Sequence, residues 1–248
     1  MLSTILHYCT NDYRFLDATL KQLSKFSDEI IIPMCDKFFN GELENQELLQ
    51  KSKDIISKYD KCTLYMFEWH GEHRNPFYYS NLSRKLGTDI AKNEWILYVD
   101  TDELFTDEFQ DWFMDNKDTD NTYWLTCNWY YREPIYQATK REAAGLLIKK
   151  KYCNWDIQNA VDRKSLFTRT NMINGDHVPV LSKTNEPMVD HFSWVRSKEE
   201  LLSKVKNWGH KHDKDWVSLI EQEYSKEFDG TDIVHGYSYK TVENKYNL

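Results

Sequence analysis

Nowhere in the chain do two cysteines stand as a C-x-x-C pair. The five present, Cys9, Cys35, Cys62, Cys127 and Cys153, are scattered and odd in number. That excludes a cysteine-built structural zinc site and favours a reducing compartment over a disulfide framework. No stretch reaches the roughly 18–20 apolar residues of a membrane-spanning helix. The N-terminus, MLSTILHYCTND, has no basic leader and turns polar too early for a secretory signal. A cytoplasmic location is therefore expected, despite one N-x-S sequon at Asn81-Leu82-Ser83. Positive charge is also short: 32 Lys and Arg face 40 Asp and Glu, a net charge of -8. Such a chain lacks the basic face that coats nucleic acid. Linkers, repeats and low-complexity segments are missing too.

What is present suits a soluble domain with a sizeable core. The chain has 248 residues, 40% of them hydrophobic and 29% charged, as in ordinary globular proteins. Aromatics are plentiful at 15%, with 9 Trp and 16 Tyr; such rings fill cores and also stack on sugars and bases.

Apolar runs and helical stripes alternate through the first hundred residues. STILHYC, EIIIPMCD, CTLYMFEW and EWILYVD read as continuous apolar strands. DYRFLDATLKQLSKF carries a stripe of Leu16, Leu20, Leu23 and Phe26. NQELLQKSKDIISKY and YYSNLSRKLGTDIAKN, the latter through Leu82, Leu86 and Ile90, follow the same spacing. This order predicts an α/β fold with a parallel sheet covered on both faces. After Thr106 the pattern turns mixed. TDEFQDWFMDNK reads as a helix with Phe109, Trp112 and Phe113 inward. TYWLTCNWYYR, KSLFTR and PMVDHFSWV read as strands. SKEELLSKVKNWGH reads as a helix with a capping box at Ser197 and Glu200 and a stop at Gly209. One domain over residues 1–248 is expected, with a ligand-binding half at 1–105 and a mixed-sheet half at 106–248 that ends in helices.

In such sheets ligands bind beyond the carboxyl ends of the strands. Three of the four early strands end there in polar clusters: Thr10-Asn11-Asp12, Asp36, and Asp100-Thr101-Asp102-Glu103. Helix capping is a competing use for each alone. Asp100 and Asp102, two apart at a strand end, point the same way. Two such carboxylates repel each other, and a divalent cation relieves that cost. The D-x-D run thus predicts a metal–diphosphate site.

SRKLGTDIAKNEWILYVDTDELF resembles the Arg-x-x-Gly, Ala and Trp-apolar-Asp-x-Asp-Glu run of nucleotide-sugar glycosyltransferases with the GT-A fold, most closely the inverting family 2 and its relatives. SLFTRTNMINGDHV and DHFSWVRSKEELLSKVKNWGH look like looser matches to that family's later segments. GDHVPV departs from the pattern where many relatives have His-Glu. The resemblance implies a GT-A (Rossmann-like) fold and transfer of a sugar from a UDP- or GDP-sugar to a hydroxyl of a glycan or glycoconjugate, with inversion. It implies Mn2+ or Mg2+ as cofactor, held by Asp100, Asp102 and His191. Thr10, Asn11, Asp36, Arg84, Asp100 and Thr101 would bind the nucleotide sugar, with Asp36 on the base or ribose and Arg84 on the diphosphate. Asp176, His177, Asp156 and, last, Glu133 are candidates for the base that takes the acceptor's proton. Competing uses are a helix-surface ion pair for Arg84 and a partly buried, hydrogen-bonded ring for His191. Trp129, Tyr130, Tyr131, Trp155 and Trp194 divide between a sugar platform and the core. Lys149-Lys150-Lys151 reads as a solvated loop. Two other functions compete. A nucleotidyltransferase acting on sugar phosphates would need a Gly-rich basic loop after the first strand, and YCTNDYRF has no glycine. A non-catalytic sugar-binding protein would show no turnover.

Overall fold

The computed structural model describes residues 1–73, 75, 77–155, 157, 163–171 and 179–248. The first half alternates as its periodicity predicts. Strands β1 (Leu2–His7), β2 (Glu29–Cys35), β3 (Cys62–Phe67) and β4 (Trp95–Asp100) alternate with helices α1 (Tyr13–Phe26), α2 (Gln46–Ile56) and α3 (Tyr78–Ile90). β1 lies parallel to both β2 and β4, and β2 lies parallel to β3. Beyond them come β5 (Glu103–Phe105), α4 (Glu108–Asn116), β6 (Tyr123–Tyr131), β7 (Glu133–Lys149), α5 (Arg163–Asn171), β8 (Val189–Trp194), α6 (Lys198–Asn207), α7 (Trp216–Glu223) and β9 (Tyr239–Thr241). Among the described residues one sheet runs in the order β3-β2-β1-β4-β7-β6-β8-β5, with β9 on β7. β7 joins β4 antiparallel and opens the mixed half. This is the Rossmann-like GT-A arrangement: a parallel half, a mixed half and flanking helices in one domain.

Period-two alternation gives the parallel half two covered faces. Leu2, Leu6, Leu97 and Val99 pack with Leu16, Leu20 and Leu23 of α1 on one side. Ile5, Ile96 and Tyr98 pack with Trp155 and Leu166 on the other. The chain leaves β1 toward β2 and β3, then crosses back to β4 on the opposite side of β1. The sheet therefore changes direction between β1 and β4, and a crevice opens where their carboxyl ends diverge.

Four expectations change. KSLFTR is helical, within α5; Leu166 and Phe167 are adjacent, so they carry no period that separates helix from strand. β7 has no counterpart in the sequence reading, because exposed Lys140 and Arg141 interrupt it and a continuous buried run comes only over residues 144–148. β3 is an edge strand with Tyr65 and Met66 more than a third exposed, so its apolar run is not covered on both sides. α3 turns its small and polar face inward, with Ser80, Ser83, Arg84, Gly87 and Thr88 buried, while Ile90 of the expected stripe is exposed. Gly87 explains this approach. A Cβ there would lie 2.6 Å from Ile5 Cγ2 and 3.0 Å from the Pro33 ring, so only glycine lets α3 sit this close to β1 and β2.

Candidate active site

The polar strand end raised in the sequence is explained by splitting its three carboxylates between two directions. Asp100 ends β4, a tight turn follows, and β5 begins at Glu103. Glu103 is fully buried, accepts the Asp100 backbone N–H at 3.0 Å and takes both arms of Arg163, one at 2.8 Å. Thr101 is equally buried, its hydroxyl donating to the His7 carbonyl at 2.7 Å. Both brace the turn. Asp100 and Asp102 face a cleft of about 340 Å³ at the crevice between β1 and β4.

Arg84 of α3 and Arg163 at the start of α5 donate to the two oxygens of Asp100 at 3.0 and 3.1 Å. Asp102 takes Lys204 of α6 at 2.9 Å and Arg196 at 3.1 Å on Oδ2, and His191 Nε2 stands 3.3 Å from Oδ1. Register brings His191 there: β8 pairs with β5 so that His191 opposes Glu103, and the Phe192 N–H donates to the Asp102 carbonyl. Arg196 is buried and staples three segments. It donates to the Asn11 carbonyl at 2.8 Å, to Asp12, and to the Ser193 carbonyl at 3.0 Å. Lys204 lies on the flank of an amphipathic α6 whose Leu201 and Val205 are buried, and the Ser197–Glu200 capping box starts that helix as the sequence predicts.

Electrostatics follow from these contacts. Burial by itself would raise the Asp100 carboxyl, but the Arg163 and Arg84 guanidiniums outweigh it and hold the group well below the usual range. Burial is likewise overcome at Asp102 by Lys204, His191 and Arg196. His7, at the end of β1, is pushed down to about 4 by burial and by Arg84. Glu44, also in the cleft wall, is pushed up to about 7 by burial, against the lowering effect of the Thr10 hydroxyl and N–H that it accepts.

Aromatic rings close the cleft. Phe39 stands 5.8 Å from the His7 ring and 5.6 Å from Tyr79. Trp129 meets His191 edge-on at 4.8 Å, and the Trp129 indole N–H and His191 Nδ1 are buried without a partner among the described residues. Of the expected platform, Trp129 alone lines the cleft among Trp129, Tyr130, Tyr131, Trp155 and Trp194. The other four are core residues.

The expected site residues divide accordingly. Asn11, Arg84, Asp100, Asp102 and His191 meet at the cleft. Thr10 is buried just behind it, on Glu44. Asp36 holds the Trp69 N–H at 2.7 Å. Glu133 is exposed at the start of β7 and does not line the cleft. Asp156, Asp176 and His177 lie outside the described residues. Arg163, Lys204, Arg196, Glu44 and His7 were not anticipated. Only Lys204 leaves a signal, three residues after Leu201 on the border of an apolar stripe. Lys149 and Lys151 pair with Glu94 and Asp120, at 3.0 and 2.7 Å, rather than pointing freely into water.

Whether these residues fit a divalent cation depends on their free lone pairs. Each oxygen of Asp100 and Asp102 already faces an arginine, lysine or histidine nitrogen. A metal about 2.0–2.1 Å from Asp102 Oδ2 would stand against Lys204 and Arg196, and one on Oδ1 would have to displace the His191 Nε2 contact. Among the described residues, no three His, Cys, Asp or Glu side chains are grouped to hold a metal ion. The donor set as arranged does not fit one.

No protein-family profile and no curated protein matches this sequence. Solved structures give faint likenesses. Residues 1–349 of Staphylococcus aureus TarS match at 13% identity and TM-score 0.45, over 77% of this chain and 60% of that one. A 4-diphosphocytidyl-2C-methyl-D-erythritol synthase matches at 10% identity and TM-score 0.45, over 74% and 94% of the two chains. A putative glucose-1-phosphate thymidylyltransferase from Bacillus anthracis matches at 10% identity and TM-score 0.41, over 61% and 73%. This chain thus spans less than two thirds of the TarS fragment's length. Among the described residues, no helix is long and apolar enough to cross a membrane.

Proposed function

We propose that this protein is a glycosyltransferase that takes a sugar from a nucleoside-diphosphate donor, UDP- or GDP-linked, and passes it to a hydroxyl of a glycan or glycoconjugate. One observation carries the reading: a cleft at the crevice between β1 and β4 where Arg84, Arg163 and Lys204 surround Asp100 and Asp102, between aromatic walls. Cations fixed at a departing diphosphate stabilise the charge that develops as the glycosidic bond breaks. Asp100 and Asp102 orient those cations. Phe39, with Asn11 nearby, supplies a face for the nucleobase, and Trp129 a face for the sugar or the acceptor.

For inversion, a base on the far side of the sugar takes the acceptor's proton. Asp176, His177 and Asp156 are proposed for it on the resemblance alone. The Mn2+ or Mg2+ implied by that resemblance enters no step here.

The test is product analysis with a panel of nucleotide sugars and glycan acceptors. The expected outcome is acceptor-dependent release of a nucleoside diphosphate. Release of pyrophosphate from a nucleoside triphosphate and a sugar 1-phosphate would instead identify a nucleotidyltransferase. Tight sugar binding without turnover would identify a binding protein.

A further inference from the structure

We infer that the cleft holds the donor diphosphate with hydrogen bonds from its own cationic side chains and needs no divalent cation, with Lys204 standing where a metal would otherwise bridge Asp102 to phosphate. The inference rests on the proposed nucleotide-sugar reading and specifies how that site handles charge. A metal at a D-x-D pair does two things: it relieves the repulsion between the carboxylates and attracts phosphate. Here the first task is already done. Asp12, Asp100, Asp102 and Glu103 are matched by Arg84, Arg163, Arg196 and Lys204, four charges against four, in direct contact.

The second task falls to the cations that a ligand can reach. The Arg196 side chain is fully buried and locked among Asn11, Asp12 and Ser193, so it is structural. Lys204 and Arg163 keep 18% and 13% of their side chains exposed, and both line the cleft with Lys164. Lys204 is also held by the Ser193 hydroxyl at 2.8 Å and carbonyl at 3.2 Å, so its ammonium stays at the site while one N–H turns to a phosphate oxygen. An ammonium has three donors, here on Asp102, the Ser193 hydroxyl and the Ser193 carbonyl, and the longest contact, to the carbonyl, is the one a phosphate oxygen would replace. A divalent ion added to this ring must expel Lys204 before it can reach Asp102 Oδ2.

Calorimetric titration with UDP, GDP, CDP and dTDP, each in EDTA and in excess manganese, tests this on the whole chain. The expected result is one preferred nucleotide whose affinity changes less than about threefold between the two conditions. Lys204→Ala should weaken that affinity in EDTA about tenfold or more, and manganese should restore part of it, because Asp102 is then open to a metal. Lys204→Gln, which keeps the stem and a hydrogen-bond donor, should behave the same way, and melting temperatures confirm that both variants are folded. Binding by the wild type that requires manganese, or tightens tenfold or more with it, would overturn the inference while leaving the glycosyltransferase reading standing. No binding of any nucleotide in either condition would sink that reading, and the inference with it.

Discussion

Asp102 bears more contacts than a solvent-facing ligand residue would, and its replacement has a structural cost. Its carboxylate accepts from Lys204, Arg196 and His191 while only 5% of the side chain is exposed. Asp102→Asn keeps the shape but removes the charge between two cations. Urea denaturation should show a loss of about 1.5–3 kcal/mol, the scale of a hydrogen bond to a charged group. An unchanged stability would mean that the ion pairs are not made in the folded protein. His7 and Glu44 make opposing pH contributions. Between about 6.5 and 4 the unfolded chain protonates His7 and the folded protein resists, so this term loses stability on acidification. Between about 4.5 and 7 the folded protein keeps a proton on Glu44 that the unfolded chain has shed, so that term loses stability as pH rises. The two nearly cancel over their shared window. Glu44→Gln removes the second, and its stability should fall from pH 6.5 to 4.5 more steeply than the wild type's, by up to about 1.4 kcal/mol per pH unit. Parallel pH profiles for variant and wild type would contradict the burial of Glu44. Asp100 and Asp102, held low, titrate below this window. At this scale the sequence was legible where partners are neighbours along the chain, as in the D-x-D run. Arg163 and Lys204, about 60 and 100 residues away, were hidden because only strand pairing and helix docking bring them in.

Among the elements, α3 shows how a helix can be foreseen and its orientation missed. Its span follows from spacing, yet its buried face is set by Gly87 and by the need to aim Arg84 at Asp100, not by the leucines. Gly87→Ala tests this. Alanine's better helix propensity offers about 1 kcal/mol, whereas forcing a methyl against Ile5 and Pro33 costs about 1–3 kcal/mol. Net destabilisation is expected in thermal melts, with weaker nucleotide binding as Arg84 retreats; a stabilised variant would show that α3 does not pack this closely. α6 was legible throughout, because a capping box and an apolar stripe are local signals. β7 was not, since an exposed charged middle is tolerated in a strand whose pairing comes from β6 and β4. KSLFTR failed for the related reason that six residues with two adjacent apolar ones define neither period.

For the molecule as a whole, the order of elements determined the outcome. Alternating apolar strands and helices announced a parallel sheet, and the reversal of connection around β1 brings the polar ends of β1 and β4 to one crevice, while Asp36 at the end of β2 stays outside it. The chain's net charge of -8 does not describe that crevice, where arginines and a lysine match the acids one for one. The central claim is that this crevice receives the diphosphate of a nucleotide donor, and Arg84 is the residue to test it on. Calorimetry should compare the preferred nucleoside diphosphate on wild type and on Arg84→Lys, with melting temperatures confirming that both are folded. Lysine keeps the charge but cannot reproduce a planar fork shared between Asp100 and phosphate. A loss of affinity approaching tenfold, about 1.4 kcal/mol, is the predicted result, and equal affinity in the two proteins would contradict it.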